Sequence, residues 1–305
     1  MPNIFISTSS FGKEDAHPLE FCRQGHQVSL NPHGRTLKSE ELVVLAHQAD
    51  ALIAGTETLD RVTLEKLNRL KVISRCGVGL DNVDLEAAKE RNIQVFSTPL
   101  GPTVAVAELT VGLILNLLRL VIPMDRDVRE GLWKKRMGNL LKGKNVGILG
   151  FGRIGQKVAE LLSPFAVQIA YYDPAPAGDF SYISKPLQDL LGWADVITLH
   201  CPPSSAPILG APEFNLMKKG SWLVNAARGG LVHEGALYQA LKTQHLAGAA
   251  LDVFLEEPYA GELRNLENVI LTPHIGSYAK ESRIEMEWEA VRNALKGIQA
   301  AYELK

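Results

Sequence analysis

Three polar side chains follow directly on short apolar runs. Arg228 comes after L-V-N-A-A and before Gly229-Gly230, Glu257 lies in D-V-F-L-E-E-P, and His274 lies in L-T-P-H-I-G-S. Each type has a chemical use. A carbonyl that receives a hydride must also receive a proton, and a histidine can deliver it as general acid or remove it in the reverse direction. A carboxylate beside that histidine favours its protonated form and holds the ring. A guanidinium binds a carboxylate through paired hydrogen bonds. Taken singly, each has a plain alternative: a surface charge, a loop residue before proline, a packed histidine. Their shared placement at strand ends joins them, because ligands of open α/β sheets gather there.

The second constellation is the stretch 145–155, N-V-G-I-L-G-F-G-R-I-G. Apolar residues 146–149 make a short buried strand, Gly150, Gly152 and Gly155 fall in the pattern G-x-G-x-x-G, and an apolar helical run covers 154–162. The first glycine permits the turn, the second lets a pyrophosphate approach the backbone, and the third lets helix and strand pack closely. Free N–H groups at the helix start would hold the phosphates. A second strand, 167–172, ends in Asp173, about 20 residues beyond the glycines, where a dinucleotide fold places a carboxylate for the ribose hydroxyls. No basic residue follows in Pro174-Ala175-Pro176, so an adenosine 2′-phosphate would meet an uncompensated charge and NAD is expected over NADP.

Positioning these groups requires strands that alternate with helices. Apolar runs at 4–6, 28–30, 51–54, 72–74 and 93–96 read as strands, with helices at 39–48 and 63–70, which predicts parallel pairing with helices on both faces. This first unit is expected to end near Thr98-Pro99-Leu100-Gly101-Pro102, where prolines and a glycine interrupt regular structure. Residues 104–120 follow as a helix with so little polar surface that it must be buried, in a core or against a second subunit. Beyond the glycine turn, strands are expected at 196–199, 222–224, 249–253 and 269–271, helices at 187–191, 213–218 and 234–241, and a last helix at 279–301.

With 305 residues, 46% hydrophobic and 22% charged, the chain suits two α/β domains. A formal net charge of −2 without a basic block disfavours nucleic acid and anionic membranes as partners. The three cysteines, Cys22, Cys76 and Cys201, lack CxxC spacing and point to a reducing compartment, with buried packing roles. The eight histidines form no ligand cluster, so no metal is expected. The N-terminus has no secretory pattern, and the longest apolar run, 111–118, is too short to span a bilayer. A cytoplasmic protein is expected.

Five motifs in order, G-I-L-G-F-G-R-I-G, V-N-A-A-R-G-G-L-V-H-E-G-A-L, A-L-D-V-F-L-E-E-P, T-P-H-I-G-S and, upstream, K-V-I-S-R-C-G-V-G-L-D-N-V-D, resemble the D-isomer-specific 2-hydroxyacid dehydrogenases, closest to their phosphoglycerate dehydrogenase branch. The resemblance covers nearly the whole chain. It implies a Rossmann NAD-binding domain, 102–276, inserted into a flavodoxin-like substrate domain made of 1–101 and 277–305, and a homodimer. It further implies that Arg228 anchors the acid's carboxylate, that His274 is the acid/base and that Glu257 is its partner. Backbone groups of Val78 and Gly79 would bind the substrate carboxylate, with Arg75 nearby. Arg153 and Ile154 would lie on the pyrophosphate, and Asp173 on the ribose. His200, Cys201 and Pro202 would line the adenine pocket, while Ala226 and Asp252 would face the nicotinamide end, with Gly276 also in the cofactor set.

Several positions depart from the family pattern. Ser97 and Pro102 stand where asparagine is usual, Ala105 where serine is usual, and His233 replaces the usual aspartate after L-V. Phosphoglycerate members commonly carry an arginine in the loop after the third strand, and this chain has Ala54-Gly55-Thr56. No regulatory domain is expected beyond Lys305, and hence no serine feedback. The expected activity is hydride transfer between NAD(H) and a small D-2-hydroxy acid, with 3-phosphoglycerate first and glyoxylate or hydroxypyruvate as the alternative. A competing class, a corepressor-type module that binds NADH without consuming it, keeps the same Arg, Glu and His. Turnover of 2-oxo acids separates the two.

Overall fold

The computed structural model describes residues 1–176, 178 and 181–303, and the chain divides into two units, 1–102 with 277–305 and 103–276. In unit 1, five short strands pair in parallel through helical crossovers, and the three central ones are apolar and largely buried. The five are β1 (Asn3–Ile6), β2 (Gln27–Leu30), β3 (Ala51–Ala54), β4 (Val72–Arg75) and β5 (Gln94–Ser97), all parallel in the order β2-β1-β3-β4-β5. Helices α1 (His17–Arg23), α2 (Ser39–Ala46), α3 (Arg61–Lys66) and α4 (Leu85–Glu90) connect them. Alternate residues of one strand serve opposite faces: Phe5, Leu52 and Ile73 enter one core, and Ile4, Ile6, Ile53 and Val72 the other.

Unit 2 starts within α5 (Leu100–Arg119), followed by α6 (Val121–Arg129). Its strands are β6 (Asn145–Leu149), β7 (Gln168–Tyr172), β8 (Ile183–Ser184), β9 (Val196–Leu199), β10 (Ser221–Asn225), β11 (Leu246–Leu251) and β12 (Val269–Leu271), and its helices α7 (Arg153–Leu162), α8 (Leu187–Trp193), α9 (Ala211–Leu216) and α10 (Glu234–Lys242). All pairs are parallel, in the order β12-β11-β10-β9-β6-β7-β8. Read from β6, this is the doubly wound dinucleotide order, with its reversal between β6 and β9. Helix α11 (Lys280–Glu303) belongs to unit 1, where Met286, Ala290, Val291 and Ala294 pack on the sheet face formed by Ile4, Ile6 and Val72.

Several expected boundaries shift for local reasons. Helix α3 starts at Arg61, not residue 63, because the Asp60 carboxylate accepts from Thr63 N at 2.8 Å, and it stops before Leu67, whose φ of −92° and ψ of 67° are not helical. Helix α9 begins at Ala211 because Glu213 reaches back to Gly210 N at 2.9 Å and Pro212 falls in the first turn, where a missing N–H costs nothing. The same reason corrects the expected break at residues 98–102: Pro102 lies in the first turn of α5, so the helix starts at Leu100. At 20 residues, α5 is also long and apolar enough to cross a bilayer, unlike the run 111–118 considered alone. Its Ala107, Leu113, Ile114, Leu117 and Leu118 instead pack with Val146, Ile148, Val196 and Val224 in the core of unit 2. Strand β11 ends at Leu251 rather than residue 253, because Asp252 turns its carboxylate to the next loop. Helices α1 and α4 fill places where the alternation calls for a helix without fixing its bounds, whereas α6 has no counterpart in the sequence reading.

Candidate active site

The glycine turn occupies the carboxyl end of β6, at the reversal of strand order. Gly150 has φ +85°, and a Cβ there would lie 2.7 Å from the backbone of His200 and Cys201, which follow β9. A Cβ on Gly155 would fall 2.2 Å from Gly150 O, so the α7 backbone rests directly on the turn. Gly152 differs: nothing lies within 4 Å of the position its Cβ would take, it is the N-cap of α7, and it offers no side chain to close the first N–H groups. Arg153 beside it is exposed. A turn that is tight inside and open outside fits an approaching pyrophosphate.

Asp173, at the end of β7, accepts from Phe151 N at 2.7 Å through one oxygen and from Ala175 N at 2.9 Å through the other. Its carboxylate therefore braces the glycine turn, and its remaining lone pairs can take ribose hydroxyls. His200 holds Thr198 Oγ1 at 3.0 Å with Nε2, while its Nδ1 is closed off from solvent with no partner among the described residues. Burial pushes its pKa down to about 3, so the ring is neutral. Burial, and then the charge of Asp173, push the Cys201 thiol up to about 11. Cys201 is only half-buried, whereas Cys22 and Cys76 are buried. The expectation that all three are buried thus fails at Cys201, which sits at the mouth of the turn, with Pro202 exposed beside it.

The three chemistry-bearing side chains sit on the loops that follow β10, β11 and β12, three adjacent strands. His274 and Glu257 meet: Nδ1 lies 2.8 Å from Oε2, and Glu257 Oε1 accepts from Phe254 N at 3.1 Å. With a carboxylate as its acceptor, Nδ1 carries the proton and Nε2 is left for a substrate. His274 adopts φ +54°, a left-handed conformation that costs about 1–2 kcal/mol in a residue with a Cβ. The cost is offset by Asp252. Fully buried, it accepts from Thr272 Oγ1 at 2.6 Å, Ile275 N at 2.8 Å and Gly276 N at 2.7 Å, fixing the loop on both sides of His274.

Arg228 is held from its own backbone. Asn225, buried at the end of β10, donates through Nδ2 to Arg228 O at 2.9 Å and accepts from Ala227 N at 3.1 Å, while the guanidinium donates to Ala227 O at 2.7 Å. Ala226, between them, is buried. A Cβ on Gly229 would lie 1.9 Å from the carbonyl carbon of Phe254, so the arginine loop lies flat on the chain that leads to Glu257. Glu234, first in α10, adds a bond from Leu255 N at 2.9 Å. His233 keeps the capping role at the start of that helix, with Nδ1 accepting from Ala236 N at 3.1 Å. The arrangement can hold a carboxylate at Arg228 and move a proton at His274 Nε2. Asn225, Thr272 and the bracing role of Asp252 went unread in the sequence; the signal was a polar residue closing a buried strand.

In unit 1, Arg75 ends β4 and donates to Cys76 O at 3.0 Å. Its guanidinium lies across Gly77, where a Cβ would sit 1.2 Å from one of its nitrogens. Val78 and Gly79 follow in a turn that exposes Val78. Glu57, buried in the loop after β3, was not read as a site residue; its carboxylate accepts from the Ser7 hydroxyl and from Gly55 N at 3.1 Å.

Comparisons with known proteins bear on the family and the fold. The profile of the family described as D-isomer specific 2-hydroxyacid dehydrogenase, NAD binding domain, matches residues 111–276. The chain is 41% identical over 261 residues to D-3-phosphoglycerate dehydrogenase of Rattus norvegicus, covering 82% of this chain and 49% of that protein. It thus spans about half the length of that relative. Glyoxylate reductase of Thermococcus litoralis is 39% identical, with 96% of this chain and 93% of the relative covered. Among solved structures, the TT0316 protein of Thermus thermophilus superposes with a TM-score of 0.90 at 36% identity over 98% of this chain and 97% of that one. The chain belongs to the D-isomer specific 2-hydroxyacid dehydrogenase family.

Proposed function

We propose that the protein is an NAD-dependent dehydrogenase that interconverts a small D-2-hydroxy acid and its 2-oxo acid. The observation that carries this is the 2.8 Å pair of His274 and Glu257, braced by Asp252 on the strand end next to the Arg228 loop. Arg228 binds the acid's carboxylate and draws electron density from the adjacent carbonyl, which orients that carbon. His274 Nε2 gives its proton to the carbonyl oxygen in reduction and takes it back in oxidation. Glu257 keeps Nδ1 protonated and stabilises the imidazolium. NAD(H), when bound, supplies or accepts the hydride. Gly150, Gly152, Arg153, Ile154 and Gly155 would hold its pyrophosphate and Asp173 its ribose. His200, Cys201 and Pro202 would border the adenine, and Ala226, Asp252 and Gly276 the nicotinamide end.

Unit 1 is the substrate domain in this reading, with the Val78–Gly79 turn and Arg75 binding the acid. The relatives named D-3-phosphoglycerate dehydrogenase support 3-phosphoglycerate as one substrate. The nearly full-length match to a glyoxylate reductase supports the unphosphorylated acids, glyoxylate and hydroxypyruvate. A homodimer is supported by the exposed apolar side chains of α6 and the segment after it, Val121, Val128, Trp133 and Met137, the last two 84% and 93% exposed. Free cysteines support a cytoplasmic location. The deciding experiment measures nicotinamide absorbance with a panel of 2-oxo acids and both NADH and NADPH. Turnover with NADH is expected, and a strong NADPH preference would overturn the role of Asp173.

A further inference from the structure

We propose that Glu57 is a specificity-determining residue, tuning unit 1 to an acid whose far end is uncharged and hydroxylated and against one that carries a phosphate. This deepens the dehydrogenase reading and rests on it. The sheet of unit 1 reverses its strand order between β1 and β3, and ligands of such sheets lie outside the carboxyl ends at that point. The loops there are Ser7-Thr8-Ser9-Ser10 after β1, Gly55-Thr56-Glu57 after β3, and the turn containing Val78 and Gly79 after β4. They are stitched together. Ser7 N donates to Ile53 O at 3.0 Å, and Asn82 Nδ2 donates to Gly55 O at 3.3 Å and Glu57 O at 2.7 Å. A parallel bridge joins Leu59 to Val83. The Glu57 loop and the acid-binding turn therefore share one support.

Glu57 is 2% exposed, and its carboxylate is satisfied by neutral donors, the Ser7 hydroxyl and Gly55 N. Nearby cations have other partners: Arg283 donates to Glu287 at 2.9 Å and to Thr8 Oγ1 at 2.7 Å, and Arg75 donates to Cys76 O. A buried charge is poorly screened by salt, so the Glu57 carboxylate makes the potential beside the acid-binding turn more negative than a neutral side chain there would. A phosphate, with roughly −1.5 to −2 charges, meets a like charge there. A hydroxyl instead donates to a carboxylate, and the partly exposed Thr8, Ser9 and Ser10 can each donate or accept.

The test compares kcat/KM for hydroxypyruvate and 3-phosphohydroxypyruvate with NADH, in the wild type and in Glu57→Gln, which keeps the shape and removes the charge. The wild type should favour hydroxypyruvate by at least about tenfold, and the variant should narrow that ratio by about tenfold, mostly through KM. Glu57→Asp, which keeps the charge, should keep the preference. A wild type that prefers the phosphorylated acid overturns the proposal without touching the dehydrogenase reading. So does a Glu57→Gln variant that loses activity equally on both acids, because a mere loop brace does that. If Glu57→Gln fails to fold, the wild-type ratio together with Glu57→Asp still decides. Absence of turnover with every 2-oxo acid removes the dehydrogenase reading, and this inference with it.

Discussion

His200, beside the glycine turn, shows how one enclosed side chain can couple stability to pH. Its folded pKa is about 3 against an ordinary value of 6.5, because burial disfavours the imidazolium. Between those values the unfolded chain binds a proton that the folded chain refuses, so stability is complete above pH 6.5 and is lost as pH falls toward about 3. His200→Asn should therefore flatten the acid side of the stability curve, as measured by urea unfolding between pH 7 and pH 4.5. An unchanged acid slope would contradict the burial of the ring. At this scale the sequence was legible where backbone geometry dictates the residue, as at Gly150 and Gly155, and in the placement of Arg228, Glu257 and His274 just past strand ends. It was not legible at Asn225 or Glu57, whose roles depend on partners such as Ser7, brought near only by strand pairing.

The loops after β10, β11 and β12 are separate in sequence and act as one element: Asp252 accepts from Gly276 N and donates its own N–H to Asn225 O at 2.9 Å, and Gly229 lies against the Phe254 backbone. Asp252→Ala leaves the Thr272 hydroxyl and the N–H groups of Ile275 and Gly276 without their acceptor, at about 1–3 kcal/mol for each group that stays buried. Hydrogen exchange across residues 272–276 should accelerate and kcat/KM should fall. Unchanged exchange there would remove the bracing role. Long elements were legible from apolar periodicity, as with α7 and α11. The bounds of the short α1, α4 and α6 were not, since each buries few residues; α4 starts on the Asp84 carboxylate, which accepts from Ala87 N at 2.8 Å, while α1 and α6 start without a side-chain cap.

At the scale of the whole molecule, the alternation of strands and helices foretold two parallel sheets, and the strand orders found are those of a flavodoxin-like unit and a Rossmann unit. What pattern alone could not foretell is the apolar exposure of α6 and the segment after it. If Trp133 joins a dimer contact, Trp133→Glu should shift the sedimentation coefficient from dimer to monomer. An unchanged dimer, or a wild type that sediments as a monomer, would place the contact elsewhere or remove it.

The proposed mechanism converges on proton transfer at His274. The most direct measurement is turnover of 2-oxo acids by His274→Ala with NADH, alongside NADH affinity measured by fluorescence titration. Turnover should drop by about 100- to 10,000-fold while NADH affinity stays at the wild-type value. Wild-type turnover in the variant with NADH bound would contradict the proposed mechanism.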